Sequence, residues 1–147
     1  MKNKTVKMIV IIVAIIILVD QASKLLVSNL LTETIGNDFF KLEIANNTGM
    51  AFGFNDGNIK NIFISIFVLV IVISFIKNQL ERIDKKTAIV IAMALGGAIS
   101  NLIDRIFRGS VLDFIKIYKI PNFNLADMFI VIGWILIIIF LIDFSRK

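Results

Sequence analysis

Two aspartates, Asp113 and Asp127, are the residues of this chain best placed for acid–base chemistry. Asp113 lies in the segment SVLDFIKIYKI, and Asp127 stands near the start of the apolar run ADMFIVIGWILIIIF. Two carboxyl groups that meet in a poorly hydrated site cannot both ionise easily, so one keeps a proton near neutral pH. The ionised partner can take a proton from an attacking water, while the protonated partner hydrogen-bonds a peptide carbonyl oxygen. These two residues, called here the aspartate pair, therefore form a candidate site for peptide hydrolysis.

The same residues also have a purely structural interpretation. Asn124 or Asp127 could do no more than cap the helix that follows them, because Asn and Asp are preferred at helix N-termini. Asp113 could be an exposed loop residue. The spacing of the residues by itself favours this structural interpretation, and both stay open at this point.

Composition removes most other catalytic chemistry. The chain contains no cysteine and no histidine. It therefore has no disulfide, no thiol nucleophile, no Ser–His triad and none of the usual zinc sites. We expect no metal and no cofactor, so acid–base chemistry falls to the remaining titratable side chains.

Further charged residues lie inside apolar segments. Asp20 and Lys24 are one helical turn apart and can pair at i,i+4, and Asn101 shares a helix face with Asp104 at i,i+3. A lone charge at a bilayer centre costs about 2.5–3.5 kcal/mol on insertion scales. Charged residues that are present in a membrane segment despite this cost are therefore candidates for a functional site. These residues could equally form ion pairs between helices that only hold a bundle together, and that alternative stays open.

The elements that must position these residues are membrane-spanning helices. The chain is 58% hydrophobic, and its mean hydropathy is +0.90. A span needs about 20 apolar residues, and the segments of that character are 8–27, 61–76, 87–107 and 126–142. The prediction is a membrane all-α protein with four transmembrane helices in a single domain, 1–147, with outer loops at 28–60 and 108–125.

The positions of the basic residues predict the orientation. They cluster before the first segment, between the second and third, and at the end of the chain: Lys2, Lys4, Lys7, Lys77, Arg82, Lys85, Lys86, Arg146 and Lys147. By the positive-inside rule both termini lie in the cytoplasm, and the two outer loops face the other side. The net charge of +5 is thereby explained by topology, and no nucleic-acid partner is expected.

The outer loops carry strand signals. FFKLEI (39–44) alternates apolar and polar residues, and NNTG after it is typical of a turn. Residues 110–120 alternate in part and are rich in β-branched and aromatic side chains. We expect a small extracytoplasmic β-sheet that lies on the membrane surface over the charged residues.

Five short motifs in order resemble lipoprotein signal peptidase, also called signal peptidase II. They are Asp20-Gln21-x-x-Lys24, Asn47-x-Gly49-x-Ala51-Phe52, Gly96-Gly97-Ala98-x-x-Asn101-x-x-Asp104-Arg105, Val111-x-Asp113-Phe114 and Phe123-Asn124-x-Ala126-Asp127. Each motif is modest alone, but five in family order on four apolar segments are specific. The resemblance covers nearly the whole chain.

The resemblance implies an aspartic endopeptidase of the bacterial plasma (inner) membrane, with its active site on the extracytoplasmic side. Such enzymes remove the signal peptide from diacylglyceryl-modified prolipoproteins and cut before the lipidated cysteine. Asp113 and Asp127 match the catalytic pair of the family. The positions that match substrate-binding or supporting residues are Asp20, Gln21, Lys24, Asn47, Gly49, Asn101, Asp104, Arg105 and Asn124. The implied partners are the prolipoprotein and membrane lipid, and we expect a monomer to suffice.

Two other classes of function make different predictions. A small ion or proton transporter predicts charges at the bilayer midplane, discontinuous helices and an internal repeat; here the charged residues fall in one outer layer and no repeat is visible. A non-catalytic membrane chaperone or assembly subunit predicts that Asp113→Asn and Asp127→Asn keep their function.

Overall fold

The structure is a computed structural model, and it describes residues 2–49, 58–81 and 83–144. Its helices are α1 (Lys2–Leu30), α2 (Asn58–Gln79), α3 (Lys85–Phe107) and α4 (Leu125–Phe144), and its strands are β1 (Ile35–Gly36), β2 (Phe40–Asn47) and β3 (Val111–Ile117). Several residues used in the sequence predictions lie outside the described residues: Ala51, Phe52, Arg82, Arg146 and Lys147.

Each helix contains one of the predicted apolar segments and extends beyond it. Lipid offers no hydrogen-bond partner to a peptide group, so an apolar run in a membrane satisfies its backbone within a helix. Among the described residues, three stretches are long and apolar enough to span a membrane: Asn3–Leu30, Ile59–Gln79 and Lys85–Phe107. The apolar part of α4, Leu125–Phe140, is shorter, although the whole helix has 20 residues and is about 30 Å long.

Helix α3 is the centre of the bundle, since it packs extensively against both α1 and α4 and also contacts α2. Two adjacent glycines allow this close packing. A Cβ on Gly96 would lie 2.9 Å from Ile16 Cβ, and one on Gly97 would lie 2.4 Å from the backbone oxygen of Ala126. Small residues let helix backbones approach in lipid, where association depends on close packing rather than on the hydrophobic effect.

The N-terminal half of α3 contributes to an apolar cluster. The buried members of this cluster come from α1, α2 and α3: Ile9, Leu69, Ile76, Leu80, Ala88, Ala92 and Leu95. They hold the three helices together around the N-terminal half of α3, whereas Asn101 and Asp104 lie in its C-terminal half.

The predicted sheet is present, with three antiparallel strands in the order β1-β2-β3. Leu42 pairs with Ile115, and after a shift in register Ala45 pairs with Asp113. The prediction of a turn at NNTG is wrong for its first two residues, because Asn46 and Asn47 continue β2. Pairing with β3 there outweighs the turn preference of asparagine. The sheet thereby carries both Asn47 and Asp113 on neighbouring strands.

Candidate active site

Asp113 is a buried strand residue and not an exposed loop residue, so that part of the structural interpretation is wrong. It lies within β3, and its relative exposure is 1%. Each carboxylate oxygen accepts one hydrogen bond. Asn47 Nδ2 donates to Oδ2 at 2.9 Å, and Asn124 Nδ2 donates to Oδ1 at 2.7 Å. Two amide groups from different parts of the chain therefore hold this carboxyl in place.

Asp127 lies in the first turn of α4 and shares a reciprocal cap with Asn124. The Asp127 backbone N–H donates to Asn124 Oδ1 at 2.9 Å, and the Asn124 backbone N–H donates to Asp127 Oδ2 at 3.2 Å. Two exchanged side-chain-to-backbone bonds of this kind form a capping box. The capping interpretation is thus correct, and capping leaves Asp127 Oδ1 free to accept a further bond from Asn101 Nδ2 at 2.8 Å.

Asn124 connects the two aspartates. It donates to Asp113 through its side chain and to Asp127 through its backbone. After β3 the chain turns back and pairs with this strand at Ile115, and this pairing positions Asn124. Phe123 donates its backbone N–H to Ile115 O at 3.0 Å, and the Ile115 N–H donates to Phe123 O at 2.9 Å. The residue after Phe123 is therefore held beside Asp113.

A buried ion cluster, defined as Asp20, Lys24 and Asp104, adjoins these residues. Lys24 Nζ lies 2.7 Å from Asp20 Oδ2 and 2.7 Å from Asp104 Oδ2. All three side chains are at most 1% exposed. Asp104 also pairs with Arg108, at 2.8 Å, so that two acidic and two basic groups balance in charge. Because every ion is paired, the high cost of isolated charges in a bilayer is reduced.

The ion cluster is tied to the helices around it by neutral donors. Gln21 Nε2 donates to Asp104 Oδ1 at 2.9 Å, and Ser100 Oγ donates to Asp20 Oδ2 at 2.7 Å. The backbone N–H of Ala126 donates to Asp20 Oδ1 at 2.9 Å. Asp20 on α1 therefore accepts a free N–H at the start of α4, in the same turn that carries Asp127.

Gly49 and Arg105 lie at the edge of the site. Asn47 Oδ1 accepts a hydrogen bond from the Gly49 N–H at 3.0 Å, which turns Nδ2 of the same amide towards Asp113. Arg105 donates to the Gly49 carbonyl and to the Asn101 carbonyl, each at 3.4 Å. The guanidinium thus bridges α3 and the end of the β2 segment.

Burial sets the protonation of Asp113. Removal from water raises the pKa of its carboxyl to about 6; hydrogen bonds from Asn47 and Asn124 oppose this rise, and the negative charge of Asp127 adds to it. A carboxyl with such a pKa can hold a proton near neutral pH. Among residues 2–49, 58–81 and 83–144, no cluster of three or more acidic side chains could hold a metal ion.

All the site residues proposed from sequence join one connected hydrogen-bond network. Sequence reasoning missed Ser100, Arg108 and the backbone N–H of Ala126. The first two carried a signal: Ser100 is a small polar residue in an apolar helix, and Arg108 is at i,i+4 from Asp104. The role of the Ala126 N–H had no sequence signal, because it depends on how α1 meets α4.

Known proteins of similar sequence identify the family of this chain. The sequence model described as "Signal peptidase (SPase) II" matches residues 12–143. The chain belongs to the signal peptidase II family. The lipoprotein signal peptidase of Halothermothrix orenii is 40% identical over 138 residues, which cover 91% of this chain and 94% of that protein. The lipoprotein signal peptidase of Fusobacterium nucleatum is 37% identical over 140 residues, with 90% and 85% covered.

Solved structures share the fold. A structure described as a bacterial membrane enzyme, solved by the in meso method at 2.3 Å resolution, superposes with a TM-score of 0.82 at 29% identity, over 96% of this chain and 92% of that one. A second, at 1.9 Å resolution, gives a TM-score of 0.78 at 29% identity, with 92% of each chain covered. The resemblance inferred from the motifs is confirmed, and with it the assignment to an aspartic peptidase family. The apolar helices, together with these membrane-enzyme neighbours, support a membrane-embedded protein.

Proposed function

We propose that this signal peptidase II family member removes the signal peptide from diacylglyceryl-modified prolipoproteins by cutting before the lipidated cysteine, with Asp113 and Asp127 as its catalytic residues. The observation that carries the proposal is the double contact of Asn124, which hydrogen-bonds both aspartates in a chain of this family. A single residue that bonds one carboxyl group with its side chain and the other with its backbone keeps the two groups close enough to act on one peptide bond.

The two carboxyl groups take different roles. Burial raises the pKa of Asp113 to about 6, so we assign the shared proton to Asp113. Asp127 is the ionised member. It accepts hydrogen bonds from Asn101 Nδ2 and from the Asn124 N–H at a helix N-terminus, and both arrangements suit a carboxylate. Because the groups interact, the titration belongs to the pair.

The reaction follows from these roles. Asp127 takes a proton from a water molecule as the water oxygen bonds to the carbon of the scissile carbonyl. Asp113 donates its proton to the carbonyl oxygen, which gives a neutral tetrahedral diol. When the diol collapses, the C–N bond breaks and the leaving nitrogen takes the proton held by Asp127, while a hydroxyl proton returns to Asp113. The products are a carboxylic acid and the free amine of the lipidated cysteine, and the pair ends in its starting state.

The other site residues frame this pair. We assign Asn47, Asn101 and Asn124 to holding the carboxyl groups through their amides. Arg105, a half-buried residue at the edge of the site, and Gly49, whose carbonyl it contacts, are placed to meet the substrate. Asp20, Gln21, Lys24 and Asp104 support the helices that carry these residues.

We also propose the placement in the cell. The single peptidase domain spans the bacterial plasma membrane four times with both termini in the cytoplasm, and the site lies at the extracytoplasmic surface beside the sheet. The support is the distribution of basic residues and the position of the charged network at the C-terminal end of α3 and the N-terminal end of α4. Acyl chains of the substrate can then stay in the lipid while the scissile bond reaches the aspartate pair.

We expect a monomer to suffice, because every proposed site residue comes from one chain. The chemistry requires water, the prolipoprotein substrate and the surrounding lipid. Neither a metal, a cofactor nor a nucleic acid takes part in the proposed reaction.

The test is cleavage of a diacylglyceryl-modified prolipoprotein by the purified protein in lipid vesicles. Wild type should release the signal peptide, with the new N-terminus at the lipidated cysteine. Asp113→Asn and Asp127→Asn should each lower kcat by at least about 10³-fold, since each removes a group that transfers a proton. Asp38→Asn is the matched control, because Asp38 is an exposed aspartate on the β1–β2 connection.

The non-catalytic alternative predicts a different result. A membrane chaperone or assembly subunit would keep its cellular role in both aspartate variants. If either variant inserts correctly and cleaves at the wild-type rate, the aspartate pair is not the catalytic machinery.

A further inference from the structure

Lys24 has three hydrogen-bond partners, and two of them are the acids of the ion cluster. The third is Asn101 Oδ1, which accepts from Lys24 Nζ at 3.1 Å. A lysine ammonium has three N–H donors and no acceptor. With Asp20 and Asp104 each at 2.7 Å, the three bonds use all the donors of a side chain that is 0% exposed.

This contact determines which way the Asn101 amide faces. Because an ammonium only donates, the atom of Asn101 opposite Lys24 must be oxygen. The amide is planar, so its Nδ2 then points away from Lys24, and it donates to Asp127 Oδ1 at 2.8 Å. A flipped amide would bring its NH₂ against an ammonium and its oxygen against a carboxylate. Both contacts would be repulsive in a site with little water.

The same oxygen reaches the other aspartate through a second amide. Asn101 Oδ1 also accepts from Asn124 Nδ2 at 3.1 Å, and Asn124 Nδ2 donates to Asp113 Oδ1 at 2.7 Å. Lys24, which touches neither aspartate, is thus connected to both through Asn101.

We propose that Lys24 is a positioning residue whose ammonium locks the Asn101 amide in the orientation that presents an N–H to Asp127 and an oxygen to Asn124. The proposal rests on the proposed function, since it assigns Lys24 to the same reaction. It separates Lys24 from a general structural ion pair, because a structural pair would hold helices together without setting the donor pattern around the aspartate pair.

The positive charge of Lys24 also acts on the aspartate pair directly, in addition to orienting Asn101. The positive charge of Lys24 favours the ionised form of a nearby carboxyl and opposes the rise in the pKa of Asp113. The charged groups that surround the Lys24–Asn101 contact are Asp20 on α1, Asp104 and Arg105 on α3, Arg108 at the C-cap of α3, Asp113 on β3 and Asp127 on α4. Losing the ammonium should therefore shift the pH dependence of catalysis as well as its rate.

The test compares Asp20→Asn with the double variant Asp20→Asn/Lys24→Met in the vesicle cleavage assay across pH. The double variant removes the ammonium together with one acid, so Asp104 keeps Arg108, Gln21 Nε2 and the Leu112 N–H as donors. Relative to Asp20→Asn, we expect kcat to fall about 10²-fold with KM little changed, as for loss of one oriented donor. The alkaline limb of the pH–rate profile, which deprotonation of Asp113 sets, should move up by about one pH unit, because a cation that lowers the pKa of Asp113 is gone.

Two further variants complete the design. Lys24→Arg keeps a cation that only donates, so an active Lys24→Arg protein should keep the alkaline limb of wild type. Lys41→Met is the matched control, since Lys41 also pairs with an acid, Glu43, at 2.8 Å, but on the sheet and 35% exposed. It should leave kcat and the pH profile unchanged.

Each outcome is decisive. If wild type fails to cleave, the proposed function fails. If wild type cleaves and the double variant keeps the pH profile and kcat of Asp20→Asn, or loses only thermal stability, Lys24 is structural and the positioning role is overturned. Should the double variant not fold, Asp104→Asn/Lys24→Met against Asp104→Asn gives the same comparison, because Asp20 there keeps Ser100 and Ala126 as donors.

Discussion

The two halves of α3 are packed by opposite means. In the N-terminal half, Ala88, Ala92 and Leu95 pack among apolar side chains of α1 and α2. In the C-terminal half, Ser100, Asn101 and Asp104 are buried by hydrogen bonds and ion pairs to α1, α4 and β3. The largest fully buried side chains that the structure describes all belong to polar or charged residues: Lys24, Asn61, Asn124, Asp20, Asp104, Asp113 and Ser100.

The difference follows from lipid as a solvent. Hydrocarbon is as apolar as a leucine side chain, so an apolar contact in the N-terminal half gains packing but little hydrophobic free energy. A polar group in the C-terminal half has no alternative partner in hydrocarbon, so each of its contacts is costly to lose. Changes in the C-terminal half should therefore affect both stability and catalysis, whereas changes in the N-terminal half should affect stability alone and less strongly.

The largest effect should come from Asp104→Leu. This change leaves Lys24 with one acid and removes the acceptor of Arg108. Breaking a buried ion pair costs about 3–5 kcal/mol, and we expect a loss of that order in the free energy of unfolding in detergent, together with loss of cleavage. Glu43→Gln, in a partly exposed ion pair on the sheet, is the control and should stay close to wild type. An unfolding midpoint for Asp104→Leu equal to that of the control would contradict the comparison.

The site beside the C-terminal half of α3 should also respond to pH, through Asp113, which is linked to Asn101 by Asn124. Burial raises the pKa of Asp113 from 3.8 to about 6, so the folded protein binds this proton more tightly than the unfolded chain does. The stabilisation is complete below the unfolded pKa and is lost as pH rises through the folded pKa. The shift corresponds to about 3 kcal/mol. Thermal unfolding between about pH 4 and pH 7 should show this loss in wild type, and a smaller one in Asp113→Asn. Equal slopes for the two proteins would rule out Asp113 as its source.

A matched pair of glycines sharpens the contrast further. A Cβ on Gly97 would lie 2.4 Å from Ala126 O, next to Asp127, whereas one on Gly133 would lie 3.1 Å from Ala94 Cβ and 3.2 Å from Val90 O in the N-terminal half of α3. We expect Gly97→Ala to cost about 1–3 kcal/mol of stability by overpacking. It should lower kcat by about 10²-fold by displacing Asp127. Gly133→Ala should cost less stability and spare kcat. If Gly133→Ala slows cleavage as much as Gly97→Ala, close packing at Gly97 has no special link to the site.

The smallest effect is expected for Ile76→Val in the apolar cluster. Removing one methylene there should cost about 1 kcal/mol or less, because surrounding lipid and side chains are equally apolar. Cleavage at saturating substrate should match wild type. A fall in kcat with this variant would show that the apolar half also takes part in positioning the site.

Much of this arrangement could be predicted locally. Apolar length identified each helix, and the alternation in FFKLEI and around Asp113 identified strands. The five motifs contained most residues of the hydrogen-bond network, because the order and spacing of motifs along a chain can be compared with a family without a structure. The continuation of β2 through Asn46 and Asn47 was missed, since strand pairing with Val111 and Leu112 is a contact between distant residues. The pair of Asp104 with Arg108 was also missed, although the i,i+4 spacing allows it, because the sequence does not show that this arginine turns back onto the helix.

Apolar runs of this length had to form helices, because a single segment in hydrocarbon satisfies its own peptide groups only by helical hydrogen bonds. The absence of histidine and cysteine likewise removed their chemistry from consideration and left acid–base work to the other titratable side chains. The contacts of the site depend instead on how the folded elements pack: Asn124 touches both Asp113 and Asp127, Asp20 meets the Ala126 N–H, and Lys24 faces the oxygen of Asn101. The physical reason is that hydrogen bonds are short and directional, so their partners depend on how each helix is rotated and how closely its glycines let its neighbour approach.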